Sequence, residues 1–168
     1  MAEPKDAVAL LKADHRIVEE LFASFEKASG DGRKQSIAEE ICKELTIHTR
    51  LEEEIFYPAC EGKVEEDLLK EAYVEHDGAK VLIAEILGGG PDDKFYDSKV
   101  KVLSEEIEHH VKEEEKRLDG LFTQARKAGL DMDSLGEQLA ARKAELTQEF
   151  ETSGIPKPKL TTMEQATV

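Results

Sequence analysis

The sequence predicts an all-α fold: an up-down-up-down four-helix bundle with a short additional C-terminal helix and a flexible tail. Three observations carry that expectation. Apolar residues recur at three- and four-residue spacing over four long stretches, and clusters of glycine and proline punctuate them. Only 5% of the residues are aromatic and none is Trp, which suits Leu, Ile, Val and Ala packed between helices better than a β-sandwich. At 168 residues the chain fits one domain with a substantial core.

The first helix takes its periodicity from Val8, Leu11, Val18, Phe22 and Phe25, with Pro4 suited to its first turn, where a missing N–H costs nothing. Gly30, Asp31 and Gly32 end it. Ile37, Ile41, Leu45 and Ile55 mark the second helix, which runs to the break at Pro58–Gly62. Leu69, Tyr73, Ile83 and Leu87 mark the third, closed by Gly88, Gly89, Gly90 and Pro91; Val100, Leu103, Ile107, Leu118 and Leu121 mark the fourth. Short loops between long helices imply antiparallel neighbours, and this bundle is assigned residues 1–130. After a break at Gly129–Asp133, a fifth helix with a weaker apolar stripe is expected over about 134–151, capped by Asp133 or Ser134. The unit 131–151 packs on the bundle or extends from it. Residues 152–168, with the run SerGlyIleProLysProLys, read as a flexible tail.

The formal net charge of -15 repels a phosphate backbone, since nucleic-acid binding rests on Lys and Arg displacing counterions. No apolar segment approaches the roughly 20 residues needed to span a bilayer, and no basic start leads into an apolar run. The expectation is a cytoplasmic protein with neither nucleic acid nor membrane as partner; no protein partner is indicated. Cys42 and Cys60 form no CxxC or zinc-knuckle spacing, and are expected to be buried, inert thiols.

Four histidines, His15, His48, His76 and His110, fall on the apolar faces of four different helices, and His48 and His110 carry Glu52 and Glu114 four residues on. That spacing stacks an imidazole and a carboxylate on one helix face, roughly 5–6 Å apart at Cβ. Taken singly the motif is weak in a chain with 38 acidic residues, and a lone half-buried histidine is more often a hydrogen-bonded packing residue than a ligand. Depth alters the balance. His15 and His48 each lie roughly fifteen residues from the first loop, His48 and His76 each roughly a dozen from the second, and His110 falls within about one turn of the same layer. Four imidazoles buried at one level would each need a separate partner; converging with carboxylates, they make a metal centre. The donor set suits non-haem iron, with zinc or manganese open. If Glu52 and Glu114 each bridge, the six residues fill about eight of the roughly twelve positions of two octahedral ions.

His109 with Glu113 matches the same spacing, but Glu105, Lys112, Glu113 and Lys116 make its face a solvated one, so His110 is the candidate ligand. The same face argument selects Glu52 over Glu53 and Glu54, and Glu114 over Glu113 and Glu115, and leaves the other four solvated or standing behind the ligands. Tyr57 and Tyr73 can reach inward as a hydrogen-bond donor or an extra ligand, although packing is the commoner role of aromatics.

At these positions the chain resembles the hemerythrin-like family of HHE cation-binding proteins. AspHisArg at 14–16, HisThrArgLeuGluGluGluIlePheTyrPro at 48–58, GluHisAsp at 75–77 and HisHisValLysGluGluGlu at 109–115 are similar to that family's signatures, in order. The resemblance covers roughly Lys5 to Lys127. It implies two non-haem iron ions, oxo- or hydroxo-bridged, with His15, His48, Glu52, His76, His110 and Glu114 as ligands and dioxygen or another small oxidant as partner. Two departures stand out. Oxygen-carrying members have a further histidine where this chain has Lys80, and an aspartate five after the last histidine where this chain has Glu114 at plus four. The missing imidazole leaves open whether the centre binds dioxygen, turns over peroxide or nitric oxide, or senses iron or oxygen. Two other readings stand beside it: a ferritin-like oxidase, for which only Glu106 with His109 supplies the required GluXxxXxxHis spacing, and a metal-free bundle used for protein contacts.

Overall fold

The computed structural model describes residues 6–164, and Pro4 lies outside the described residues. Helix α1 (Ala7–Lys27) starts instead on Asp6, whose carboxylate accepts the Ala9 N–H at 3.0 Å. Arg126 grips the same carboxylate with both terminal nitrogens at 2.8 Å. Helix α2 (Asp31–Leu51) continues through a π-helical turn (Glu52–Phe56) into a last short helix, α3 (Tyr57–Cys60). Pro58 has no N–H to donate to the preceding turn, a common reason for a helix to loosen. The Tyr57 N–H bonds the Glu52 carbonyl, five residues back. Helices α4 (Glu66–Gly89), α5 (Tyr96–Glu115), α6 (Leu121–Lys127) and α7 (Met132–Ser153) complete the chain. No strand occurs among the described residues, and none of their helices is long and apolar enough to cross a membrane.

The four long helices contact one another in a ring, α1 on α2, α2 on α4, α4 on α5 and α5 on α1. Their core falls into two apolar clusters. One joins Leu11, Leu51, Phe56 and Phe122 to residues of α7; the other joins Phe22, Ile41, Ile83 and Leu103. The layer between them is polar and buried: His15, His48, Glu52, His76, His110 and Glu114 are each at most 5% exposed. Cys42 and Cys60 are free and buried, and burial pushes both thiols up to about 12, so they are inert at neutral pH.

Three expectations are corrected at the C-terminal end. The fourth helix does not run on to Leu121. It stops at Glu115, leaves Leu118 78% exposed, and folds back so tightly that a Cβ on Gly120 would lie 2.5 Å from the Lys116 carbonyl oxygen; only glycine fits that turn. The fifth helix begins earlier than expected, at Met132, because Asp131 is the cap and accepts the Ser134 N–H at 3.0 Å. The tail, finally, is held where a loose segment was expected: the buried Asp77 carboxylate accepts the backbone N–H groups of Thr161, Thr162 and Met163 at 2.9, 2.6 and 2.9 Å. Burial alone would raise the Asp77 pKa, but these amides and Lys80 hold it at about 2.

Helix α7 lies on α1 and α2 and inserts Leu135, Leu139, Leu146 and Phe150 into the first apolar cluster. Leu139 is fully buried. Leu139→Ala is therefore expected to cost about 2–5 kcal/mol in a single cooperative urea transition. A cost below about 1 kcal/mol would show that α7 melts independently of the bundle.

Candidate metal centre

The six residues singled out in the sequence come together. His15 comes from α1, His48 from α2, Glu52 from the first position of the π-turn, His76 from α4, and His110 and Glu114 from α5. Their inward atoms form two groups: His15, His48, Glu52 and Glu114 in one, Glu52, His76 and His110 in the other, with all donor atoms of a group within 4.8 Å of one another. Nε2 of His15 lies 3.1 Å from Nε2 of His48, and Nε2 of His76 lies 3.1 Å from that of His110. Two nitrogens bonded at right angles to one ion at about 2.1 Å would be about 3.0 Å apart, so each pair has the bite of a chelate.

The carboxylates link the two halves. Glu52 Oε1 is 2.9 Å from His48 Nε2 and 3.3 Å from His76 Nε2; Glu114 Oε1 is 3.4 Å from His15 Nε2 and 3.2 Å from His110 Nε2. Among the described residues, no hydrogen bond satisfies either oxygen of Glu52 or Oε1 of Glu114, although both side chains are buried. Buried carboxylate oxygens without hydrogen bonds are costly. Divalent cations at the two groups would remove that cost, and the His and Glu donors fit them.

Behind each imidazole stands another carboxylate. The Nδ1 of His15 meets Glu115 at 2.7 Å, that of His48 meets Asp14 at 3.2 Å, that of His76 meets Glu53 at 3.0 Å and that of His110 meets Glu75 at 2.9 Å. A carboxylate only accepts, so each Nδ1 carries a proton, and once the inner proton is lost each Nε2 lone pair points inward, the arrangement of a metal-binding histidine. Each of these carboxylates also holds a second cationic or ionisable partner: Arg16 on Glu115, Lys143 on Asp14, Lys80 on Glu53 and His109 on Glu75. His109 is 67% exposed at its side chain, the solvated position expected of it. It lies outside both donor groups and reaches His110 only through Glu75.

The metal-free chain keeps this layer charged. Burial pushes the His48 imidazolium down, but the Glu52 charge and the Asp14 hydrogen bond overcome it and hold the pKa up at about 10. His15 and His110 are also raised against burial, His15 by Glu114 and Glu115 and His110 by Glu114 and Glu75. In turn, the His110 charge holds Glu114 well below the carboxylate range despite burial.

Tyr57 carries more weight in the structure than in the sequence reading. Its ring is fully buried and packs on His76, with centroids 5.2 Å apart. Its hydroxyl lies 3.2 Å from His76 Nε2 and 3.3 Å from His110 Nε2, and donates to Glu114 Oε2 at 2.8 Å. The phenol thus stands beside the second group of donors. Burial and then Glu114 raise its pKa, so it is a neutral donor in the metal-free chain. Tyr73 stays outside, edge-on to Tyr57 at 5.1 Å. Lys80, at the position of the absent fifth histidine, turns away to Glu53, Asp77 and Thr161 at 2.9, 3.2 and 3.1 Å.

Comparison with known proteins places the fold and the family. A crystal structure of a hemerythrin HHE cation-binding domain-containing protein from Mycobacterium kansasii superposes with a TM-score of 0.72, at 21% identity, over 89% of this chain and 94% of that one. A DNA nickase from Nostoc sp. strain PCC 7120 is 28% identical over 109 residues, 65% of this chain, which spans only 31% of that relative's length. The hemerythrin HHE cation-binding domain matches residues 6–122, and the chain belongs to that family.

Proposed function

We propose that α1, α2, α4 and α5 run up, down, up and down around two non-haem iron ions, and that the protein binds dioxygen or a related small oxidant at that centre. One observation carries the reading: two groups of inward imidazole nitrogens share Glu52, whose oxygens lack any hydrogen bond in a buried layer. His15 and His48 would hold one ion, His76 and His110 the other, with Glu52 and Glu114 between them. Iron would supply redox capacity and coordination positions open to a small ligand. The protein's own part is to aim the four Nε2 lone pairs, through Asp14, Glu53, Glu75 and Glu115, and to keep bulk water out between two apolar clusters. The net charge of -15 speaks against carrying a DNA-directed activity over from the nickase.

Iron reconstitution with metal analysis and absorption spectra tests this. Two equivalents per chain are expected, with visible bands in air that change on adding azide. Less than about 0.2 equivalents of any transition metal would favour the metal-free bundle, because a preformed site of these donors loads readily.

A second reading, turnover of peroxide or nitric oxide, is favoured by Tyr57. Its hydroxyl proton, donated to Glu114, stands beside His76 and His110, where a general acid is useful. Under this reading Tyr57→Phe slows oxygen release from peroxide roughly 100-fold and leaves azide binding intact. A wild-type protein that completes no more than one turnover would exclude it.

A further inference from the structure

The end of the described chain reaches back to the second half of the centre. After Gly154, at φ 81°, the segment crosses α2 and α4 and roofs a cavity of about 580 Å³ that has Glu53 and Lys80 in its wall. Its anchor is Asp77, the residue after His76, which takes three successive backbone amides and also the Thr162 hydroxyl at 2.7 Å. This fixes Thr161 so that its hydroxyl donates to Glu53 Oε1 at 2.5 Å while accepting from Lys80 Nζ at 3.1 Å. Glu53 therefore has three donors, Thr161, Lys80 and His76. Of the four carboxylates behind the imidazoles, it is the one held by the segment that follows α7. Without the hydroxyl, Glu53 keeps Lys80 and His76 but loses the shortest of its three contacts, and it borders a cavity large enough for water.

We infer that the C-terminal segment is a clamp and Thr161 a positioning residue, which fixes His76 through Glu53 and so sets how firmly the second ion is held. The inference rests on the two-ion reading. Thr161 is exposed, so the near-isosteric Thr161→Val leaves the core untouched, and Thr161→Ser restores the hydroxyl. Full-length variants are loaded with iron, and release to a ferrous chelator is followed beside thermal melting; the His76 Nδ1 proton is followed by NMR in the metal-free protein.

Wild type is expected to release two equivalents in two phases. Thr161→Val should speed one phase about tenfold, the low end of what losing a partner behind a ligand costs, with the other phase and Tm unchanged and with Ser restoring wild-type behaviour. The His76 Nδ1 proton should exchange faster in Val than in Ser. Equal acceleration of both phases, or an unchanged His76 proton together with unchanged release, overturns the clamp. Failure of wild type to take up metal would instead overturn the two-ion reading, and the NMR comparison would still decide the clamp.

Discussion

Glu52→Gln is expected to abolish binding of both ions, whereas His15→Ala or His110→Ala loses one. Glu52 alone belongs to both donor groups, and like Glu114 it approaches an imidazole of each half, His48 at 2.9 Å and His76 at 3.3 Å. A glutamine keeps the volume and one carbonyl oxygen but neither the charge nor the second oxygen of a bridge. Losing only a hydrogen-bond partner behind a ligand costs 10–100-fold in affinity, so losing a shared anionic ligand should exceed about 100-fold at both positions. The fold should survive, since His48 retains Asp14 and His76 retains Glu53. Metal analysis after reconstitution, with circular dichroism as the check on folding, reads the result. One ion retained at wild-type affinity in Glu52→Gln would mean that the halves are independent and that Glu52 does not bridge.

The six clustered residues are legible in the sequence because their signals are local: each lies on the apolar side of an amphipathic stretch, and distance from shared loops gives its depth. The residues behind them are not. Asp14 sits beside His15 yet holds His48, and Glu75 sits beside His76 yet holds His110; Glu53 and Glu115, each next to a proposed bridging glutamate, hold His76 and His15. Each helix thus reaches round the ring to the next helix's histidine. Face analysis on a single helix leaves Glu53 and Glu115 either solvated or behind a ligand and gives Asp14 and Glu75 no role, because it lacks the neighbour.

Tyr57 was underrated for a different reason. Five residues after Glu52, an α-helical position is rotated by roughly 140°, away from the centre. The π-turn at Glu52–Phe56 takes up that rotation, and π-turns are frequent at functional sites, but no spacing rule applied to the sequence announces one. The tail is a similar case. Its Pro- and Lys-rich composition reads as disordered, while its anchor, three consecutive amides on one buried carboxylate, is made by backbone groups that composition does not report.

The stability gained from metal should grow as pH rises, and this follows from the sign of the shifts in the metal-free layer. His48, held up at about 10, together with the raised His15 and His110, binds protons more tightly folded than unfolded. Their contribution is complete below an unfolded value of about 6.5 and is lost as pH climbs toward 10. Asp14, Glu53, Glu114 and Glu115 are depressed, so theirs is present above about 4.3 and fades as pH falls further. The metal-free protein should therefore be most stable between about pH 4.5 and 6.5 and weaken above that. Metal competes with the same protons for Nε2, so its apparent affinity moves the opposite way and loading releases protons. With free metal at 1,000 times Kd each of the two sites contributes about 4 kcal/mol, and each such contribution raises Tm by roughly 8–16 °C for a chain of this size. The gap between loaded and chelator-treated protein should widen steadily from pH 6 to pH 9. A gap that stays constant or narrows, or calorimetric titrations in two buffers that detect no proton release, would mean that metal does not replace protons on these three imidazoles.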